Sequence, residues 1–112
     1  MRNDALYNET SVVIAASGND SEAINFQPFA QGGFLLPATF QGTAVSFKVS
    51  LDGGTTFIAL YDSANSLVSI TVTQNRAYAF PIALFAFGLV KIVSNNGGGE
   101  AAARTIRVAL KY

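Results

Sequence analysis

The sequence predicts an all-β protein: a single β-sandwich of about seven or eight short antiparallel strands, of jelly-roll or immunoglobulin-like kind, with a polar N-terminal arm. Three observations lead there. Two stretches alternate apolar and polar residues strictly, turn-forming Gly, Asn, Asp and Ser recur every eight to twelve residues, and no long stretch carries the spacing of an amphipathic helix. A chain of 112 residues supports one core, burying roughly two-thirds of its unfolded surface. No linker or internal repeat divides it, so residues 1–10 read as the arm and residues 11–112 as the sandwich domain.

Taken in order, the apolar pattern begins at residues 12–16 and is broken by a Gly-Asn-Asp-Ser turn at 17–21. Residues 22–26 form a short strand before Pro28. Residues 31–33 are a second break, ahead of a strand at 34–40 whose Pro37 marks it as an edge strand. The clearest alternation follows, with Val45, Phe47, Val49 and Leu51 on one face and Ser46, Lys48 and Ser50 on the other. Residues 52–55 turn the chain, 56–61 return it, 62–66 turn again, and 67–73 place Val68, Ile70 and Val72 on one side, making a three-stranded meander. Residues 77–80 are a further strand and 81–85 one helical turn started by Pro81. Residues 89–94 set Val90 and Ile92 opposite Lys91, and 95–99 read as a flexible hairpin tip. The last strand alternates Ile106, Val108 and Leu110 with Arg107, Ala109 and Lys111.

Composition narrows the function. Seven basic and seven acidic residues cancel, so no global field draws the chain to nucleic acid or an anionic membrane. Charged residues make up 12% of the chain, about half of the usual 25%, which leads to the expectation of surface covered by another chain, as in an oligomer or larger assembly, with an isolated domain of Ser-, Thr-, Asn- and Gln-rich surface as the alternative. With no cysteine there is neither a disulfide nor a thiolate metal site. The N-terminal residues lack the apolar core of a signal peptide and no run is long enough to span a membrane, so synthesis in a cytoplasm is expected. For the same reason the acceptor spelling Asn8-Glu9-Thr10 carries no weight.

The strongest local motif is Ser50-Leu51-Asp52-Gly53-Gly54-Thr55-Thr56-Phe57. Ser50, Asp52, Gly54, Thr56 and Phe57 match the Asp-box of sialidases and other β proteins, in which the carboxylate accepts turn amides and glycine supplies a positive φ. One copy, with no arginine cluster, reads as a fold staple. A Ca²⁺ site from Asp52 and Asp62 is a weaker reading, since no dense run of carboxylates supports it. No catalytic residue, cofactor or metal ligand is expected. Without His or Cys only carboxylates, lysine and tyrosine remain, and the acids fall in turns or in the arm where water solvates them. Gly97, Gly98 and Gly99 lack the Lys-Ser or Lys-Thr of a phosphate loop.

Among the aromatic residues, Phe47 and Phe57 belong to the core, while Tyr61 and Tyr78 near strand ends are candidates for a sugar platform. Phe26, Phe29, Phe34 and Phe40 lie in a Pro- and Gly-interrupted segment that a small sandwich hides with difficulty, and two readings stay open for them, a subunit interface and ordinary core.

The wording Leu36-Pro37-Ala38-Thr39-Phe40, then residues 45–57, Leu60-Tyr61-Asp62, Val68-Ser69-Ile70-Thr71-Val72 and Lys91-Ile92-Val93-Ser94, resembles small structural proteins of tailed phages over residues 35–110. The resemblance implies a virion protein without catalytic residues. It leads to the expectation of a capsid decoration or cement protein that binds the major capsid protein, self-associates, with a trimer as the expected assembly, and takes its place in the capsid after synthesis in the host. A tail or connector component and a glycan-binding module are the alternatives.

Overall fold

A computed structural model describes residues 7–112. Its strands are β1 (Tyr7–Ile14), β2 (Ile24–Asn25), β3 (Gln31–Leu35), β4 (Ala44–Ser50), β5 (Ile58–Ala59), β6 (Ser69–Thr71), β7 (Ala77–Ala79), β8 (Leu89–Ser94) and β9 (Arg104–Lys111), with one 3-10 turn at Ile82–Ala86. Their pairing is nested. β1 pairs with β9, β2 with β8, β3 with β7 and β4 with β6, all antiparallel, so the chain is one long hairpin wrapped around a core. β9 also pairs with β3, and β8 with β4, giving two sheets in the orders β1-β9-β3-β7 and β2-β8-β4-β5. This nesting is that of a jelly roll, the first of the two sandwich types expected.

The strict alternation of β4 and β9 arises because one face of each packs on the core. Val45, Phe47 and Val49 from one sheet meet Ile106, Val108 and Leu110 from the other, all buried. Phe26, Phe34, Phe47 and Phe80 form a connected ring cluster, with centroid separations from 4.9 to 6.4 Å.

Several expectations are corrected. Residues 1–6 of the arm lie outside the described residues, whereas Tyr7–Ile14 is a single strand paired residue for residue with β9. Glu9 and Ser11 lie on the outer side of this strand, while Asn8 and Thr10 share the side of buried Val12 and Ile14 and are themselves exposed. The break assigned to 31–33 is part of β3, which is an inner strand, and Pro37 lies beyond its end. Gly32 and Gly33 are there because neighbouring backbones approach closely. A Cβ on Gly32 would stand 2.5 Å from the Ala109 carbonyl oxygen, and one on Gly33 2.8 Å from that of Tyr78.

The meander is also replaced. β5 and β6 lie in tandem along the same edge of β4: Lys48 faces Ala59 while Ser46 faces Ser69. Two residues on β4 thus correspond to ten on its partner, and the surplus forms a small hairpin closed at Tyr61 and Leu67. Leu51 leaves the core face because the turn begins there, and it is 78% exposed.

Candidate functional site

Antiparallel nesting collects the loops at two ends of the sandwich. Residues 15–23, 36–43, 72–76 and 95–103 meet at one end, and residues 26–30, 51–57 and 80–88, with the C-terminal Tyr112, at the other. The two ends differ in chemistry.

The first end is polar and pinned. Glu100 is fully buried and accepts four hydrogen bonds, from Gln41 N–H (2.9 Å) and Arg104 Nε (2.9 Å) at Oε1 and from Gly42 N–H (3.1 Å) and the Ser94 hydroxyl (2.8 Å) at Oε2. Burial alone would raise its pKa, but the Gln41 amide, Arg104 and Ser94 outweigh that and hold the carboxyl below its ordinary value. Arg104 also reaches Gln41 Oε1 at 3.1 Å. The carboxylate thus ties the loop before β4, the end of β8 and the start of β9 into one unit.

The glycine-rich tip belongs to the same unit and is held firmly, contrary to its reading as flexible. Asn19 Nδ2 donates to the carbonyls of Ser94 and Asn96, Asn96 Nδ2 donates to that of Gly99, and Ser17 N–H donates to that of Glu100. Gly99 has φ +87° and sits directly on the Ser17 backbone, where any Cβ would collide. Gly99→Ala is therefore expected to cost about 1–3 kcal/mol from the backbone angle, more once the collision is included. Urea unfolding checks this, with Gly97→Ala as a near-neutral control because nothing surrounds that position.

At the second end, the Asp-box turn closes as the motif predicts. The Ser50 hydroxyl donates to Asp52 Oδ1 (2.8 Å) and accepts from Gly54 N–H (2.8 Å), while Thr56 N–H donates to Asp52 Oδ1 (2.9 Å). The Thr56 amide and the Ser50 hydroxyl lower the pKa of Asp52. Gly53 and Gly54 take φ of +76° and +101°. Asp62 makes its own turn through Ala64 and Ser66 N–H, so the two carboxylates proposed for calcium each serve local amides. No group of three or more Asp, Glu, His or Cys stands together among the described residues. Phe57, expected in the core, is half-buried beneath Lys91, whose ammonium lies 4.4 Å from the ring centroid. Lys91 faces Lys48 across the sheet, and Lys48 is paired with Asp20 at 2.7 Å.

Of the two readings open for the four phenylalanines, subunit interface and ordinary core, the structure places three in the core and the fourth against it. Phe26, Phe34 and Phe40 are buried in this chain's own core, and Phe29 is half-buried with its ring 5.3 Å from that of Tyr112. The wrapped topology gives each of them a cover that a linear reading does not reveal. Of the two tyrosines considered for sugar, Tyr78 packs on Phe34 and its hydroxyl accepts the Thr73 N–H at 2.7 Å, whereas Tyr61 is exposed.

What remains open at the second end includes two large apolar side chains beside the polar residues of the Asp-box turn. Ile82, on the 3-10 turn, is 81% exposed and Leu51 78%, the two highest values among the large apolar side chains described. A hollow of about 500 Å³ lined by Leu51, Gly53, Gln27, Phe87 and Leu89 lies on one side of the 3-10 turn. Another of about 320 Å³, lined by Ile82, Phe85 and Gln31, lies on the other. Neither this surface nor Glu100 was expected. Glu100 left one trace, an acid four residues before Arg104 at the start of a strong strand.

Fold and ends together define a jelly-roll sandwich with one stapled polar end and one end at which Leu51 and Ile82 stand exposed. No family model matches the chain, and no curated protein matches it in sequence. Among solved structures, that of the SPBc2 prophage-derived protein YomS superposes with a TM-score of 0.58 over 96% of this chain and 96% of that one, at 16% identity. At that identity the likeness is one of fold. No helix among the described residues is long and apolar enough to cross a membrane.

Proposed function

We propose that the chain is a non-enzymatic structural protein of a phage virion, a capsid decoration or cement protein that grips the major capsid protein through the end that bears Leu51 and Ile82. The observation that carries this is that Leu51 and Ile82, the two most exposed large apolar side chains described, stand at one end beside half-buried Phe85 and Phe87, in a chain with few charges to keep a bare surface soluble. The jelly roll shared with a prophage-derived protein and the phage-like wording of the strands support the setting, by analogy of fold and sequence. The mechanism is added contact: apolar area buried across capsid subunits resists their separation without turnover.

The test is occupancy on virions of the source phage. Wild-type protein is expected at a copy number comparable to the major capsid protein. Fully burying an apolar side chain contributes about 1.5–3 kcal/mol, so Leu51→Asp with Ile82→Asp should lower occupancy by at least about tenfold at unchanged melting temperature. A few copies per particle would move the protein to the tail or connector, and full occupancy by the double variant would remove that end as the attachment surface.

A further inference from the structure

Asn96-Gly97 is the only Asn-Gly step in the chain, and it stands on the glycine-rich tip of the polar end. The three glycines of that tip are not equivalent. Gly98 and Gly99 have φ of +80° and +87°, which other residues resist, whereas Gly97 lies outside that region and a Cβ there would meet nothing within 4 Å. The fold therefore gives no reason for glycine at 97. Chemistry gives one: with no side chain beside it, a glycine nitrogen reaches the Cγ of a preceding asparagine more readily than any other, and asparagine is a thermolabile residue. The Gly97 N–H is exposed and has no acceptor among the described residues. Asn96, by contrast, is held. Its Nδ2 donates to the Gly99 carbonyl at 2.7 Å and its N–H to Ser94 Oγ at 3.2 Å, while its own carbonyl accepts Asn19 Nδ2 at 2.8 Å and the Gly99 N–H at 3.0 Å. Bringing Cγ onto the Gly97 nitrogen means turning both the side chain and the main chain of Asn96, so these bonds must open first.

We propose that Asn96 is a self-modification site: it deamidates through attack by the Gly97 nitrogen, at a rate set by opening of the polar end, and the product keeps that end loosened. A bond forms between Gly97 N and Asn96 Cγ, Nδ2 leaves as ammonia with the proton from Gly97 N, and a succinimide ring results. Water then opens the ring at either carbonyl, giving aspartate or isoaspartate, with no oxidant or reductant. Both products lose the donor to the Gly99 carbonyl and add a negative charge to the unit that holds buried Glu100. Aspartate sets a carboxylate oxygen where Nδ2 stood, against that carbonyl. Isoaspartate goes further, because the chain then runs through Cγ and the carbonyl that bound Asn19 and Gly99 becomes part of a side group. The change is one-way, and it belongs to the end opposite the proposed attachment surface, on which it does not depend.

Peptide mapping by mass spectrometry tests this on the purified full chain, incubated at physiological temperature beside the same chain unfolded in urea. A gain of one mass unit is expected at Asn96 before any other asparagine, more slowly in the folded chain than in the unfolded one. Asn19→Ala removes two tethers of the tip, to the carbonyls of Ser94 and Asn96, and should speed the reaction by at least about tenfold while circular dichroism shows it folded. Gly97→Ala should slow it by at least about tenfold at unchanged melting temperature, and Asn96→Asp should melt below wild type. No gain at Asn96 in the folded chain by the time the unfolded chain has reacted, a rate that neither Asn19→Ala nor Gly97→Ala changes, or an Asn96→Asp protein as stable as wild type would overturn the proposal.

Discussion

Glu100→Ala is expected to lower stability by about 3–5 kcal/mol, the usual cost of breaking a buried ion pair from one side. The loss is large because the carboxylate serves more than Arg104. Its removal leaves the amides of Gln41 and Gly42 and the Ser94 hydroxyl without their acceptor, and Arg104, which is 8% exposed, without its buried charge partner. At roughly 4 °C per kcal/mol for a domain of this size, the melting temperature should fall by about 12–20 °C. Glu100→Gln keeps the shape and one acceptor and should cost less. A variant that melts within about 2 °C of wild type would show that the first end is held by its loops alone.

The same group sets an acid limb. Its folded-state pKa lies below the ordinary glutamate value, so the unfolded chain takes up the proton more readily than the folded one. The Glu100 contribution is therefore fully present above the ordinary range, near 4.3, and is lost as pH falls through the folded value. Asp52, lowered chiefly by the Thr56 amide, acts in the same direction from an exposed turn. In Glu100→Gln, stability measured by urea unfolding between neutral pH and about pH 3 should fall less steeply than in wild type. Parallel curves would assign the acid limb to other carboxylates.

Phe47→Ala is expected to cost about 3–5 kcal/mol, with Phe47→Leu well below it. Phe47 is fully buried on β4, the strand that joins β8 to both β5 and β6, and its ring meets Phe34 at 6.4 Å and Phe80 at 6.2 Å. Phe34 belongs to the opposite sheet, so truncation opens a cavity between the sheets that neither can close without moving strands paired on both sides. Equilibrium urea unfolding would show a lower midpoint at unchanged slope. A loss below about 1 kcal/mol would mean that the two sheets do not depend on this contact.

Local patterning was legible in three strands of which one face packs and the other meets water. β4, β8 and β9 alternate in the sequence because they alternate in space, and Pro81 starts the 3-10 turn through its fixed φ. The Asp-box could be read because its partners lie within six residues of one another, and the structure forms the hydrogen bonds that the motif implies. β3 failed the same reading. Its two glycines look like a turn in one dimension, and only the approach of the Ala109 and Tyr78 backbones explains them.

By itself, then, the sequence determined an all-β sandwich, its strongest strands and the chemistry of its tightest turn, since these depend on residues near one another along the chain. The tertiary structure alone decided which sandwich it is, that Phe26, Phe34 and Phe40 are core, that Glu100 is buried, and that Leu51 and Ile82 stand exposed at one end. Each of those depends on pairings across the whole chain, such as β1 with β9 or Gln41 with Glu100, and a pattern of local periodicity carries no information about which distant segment will supply the cover.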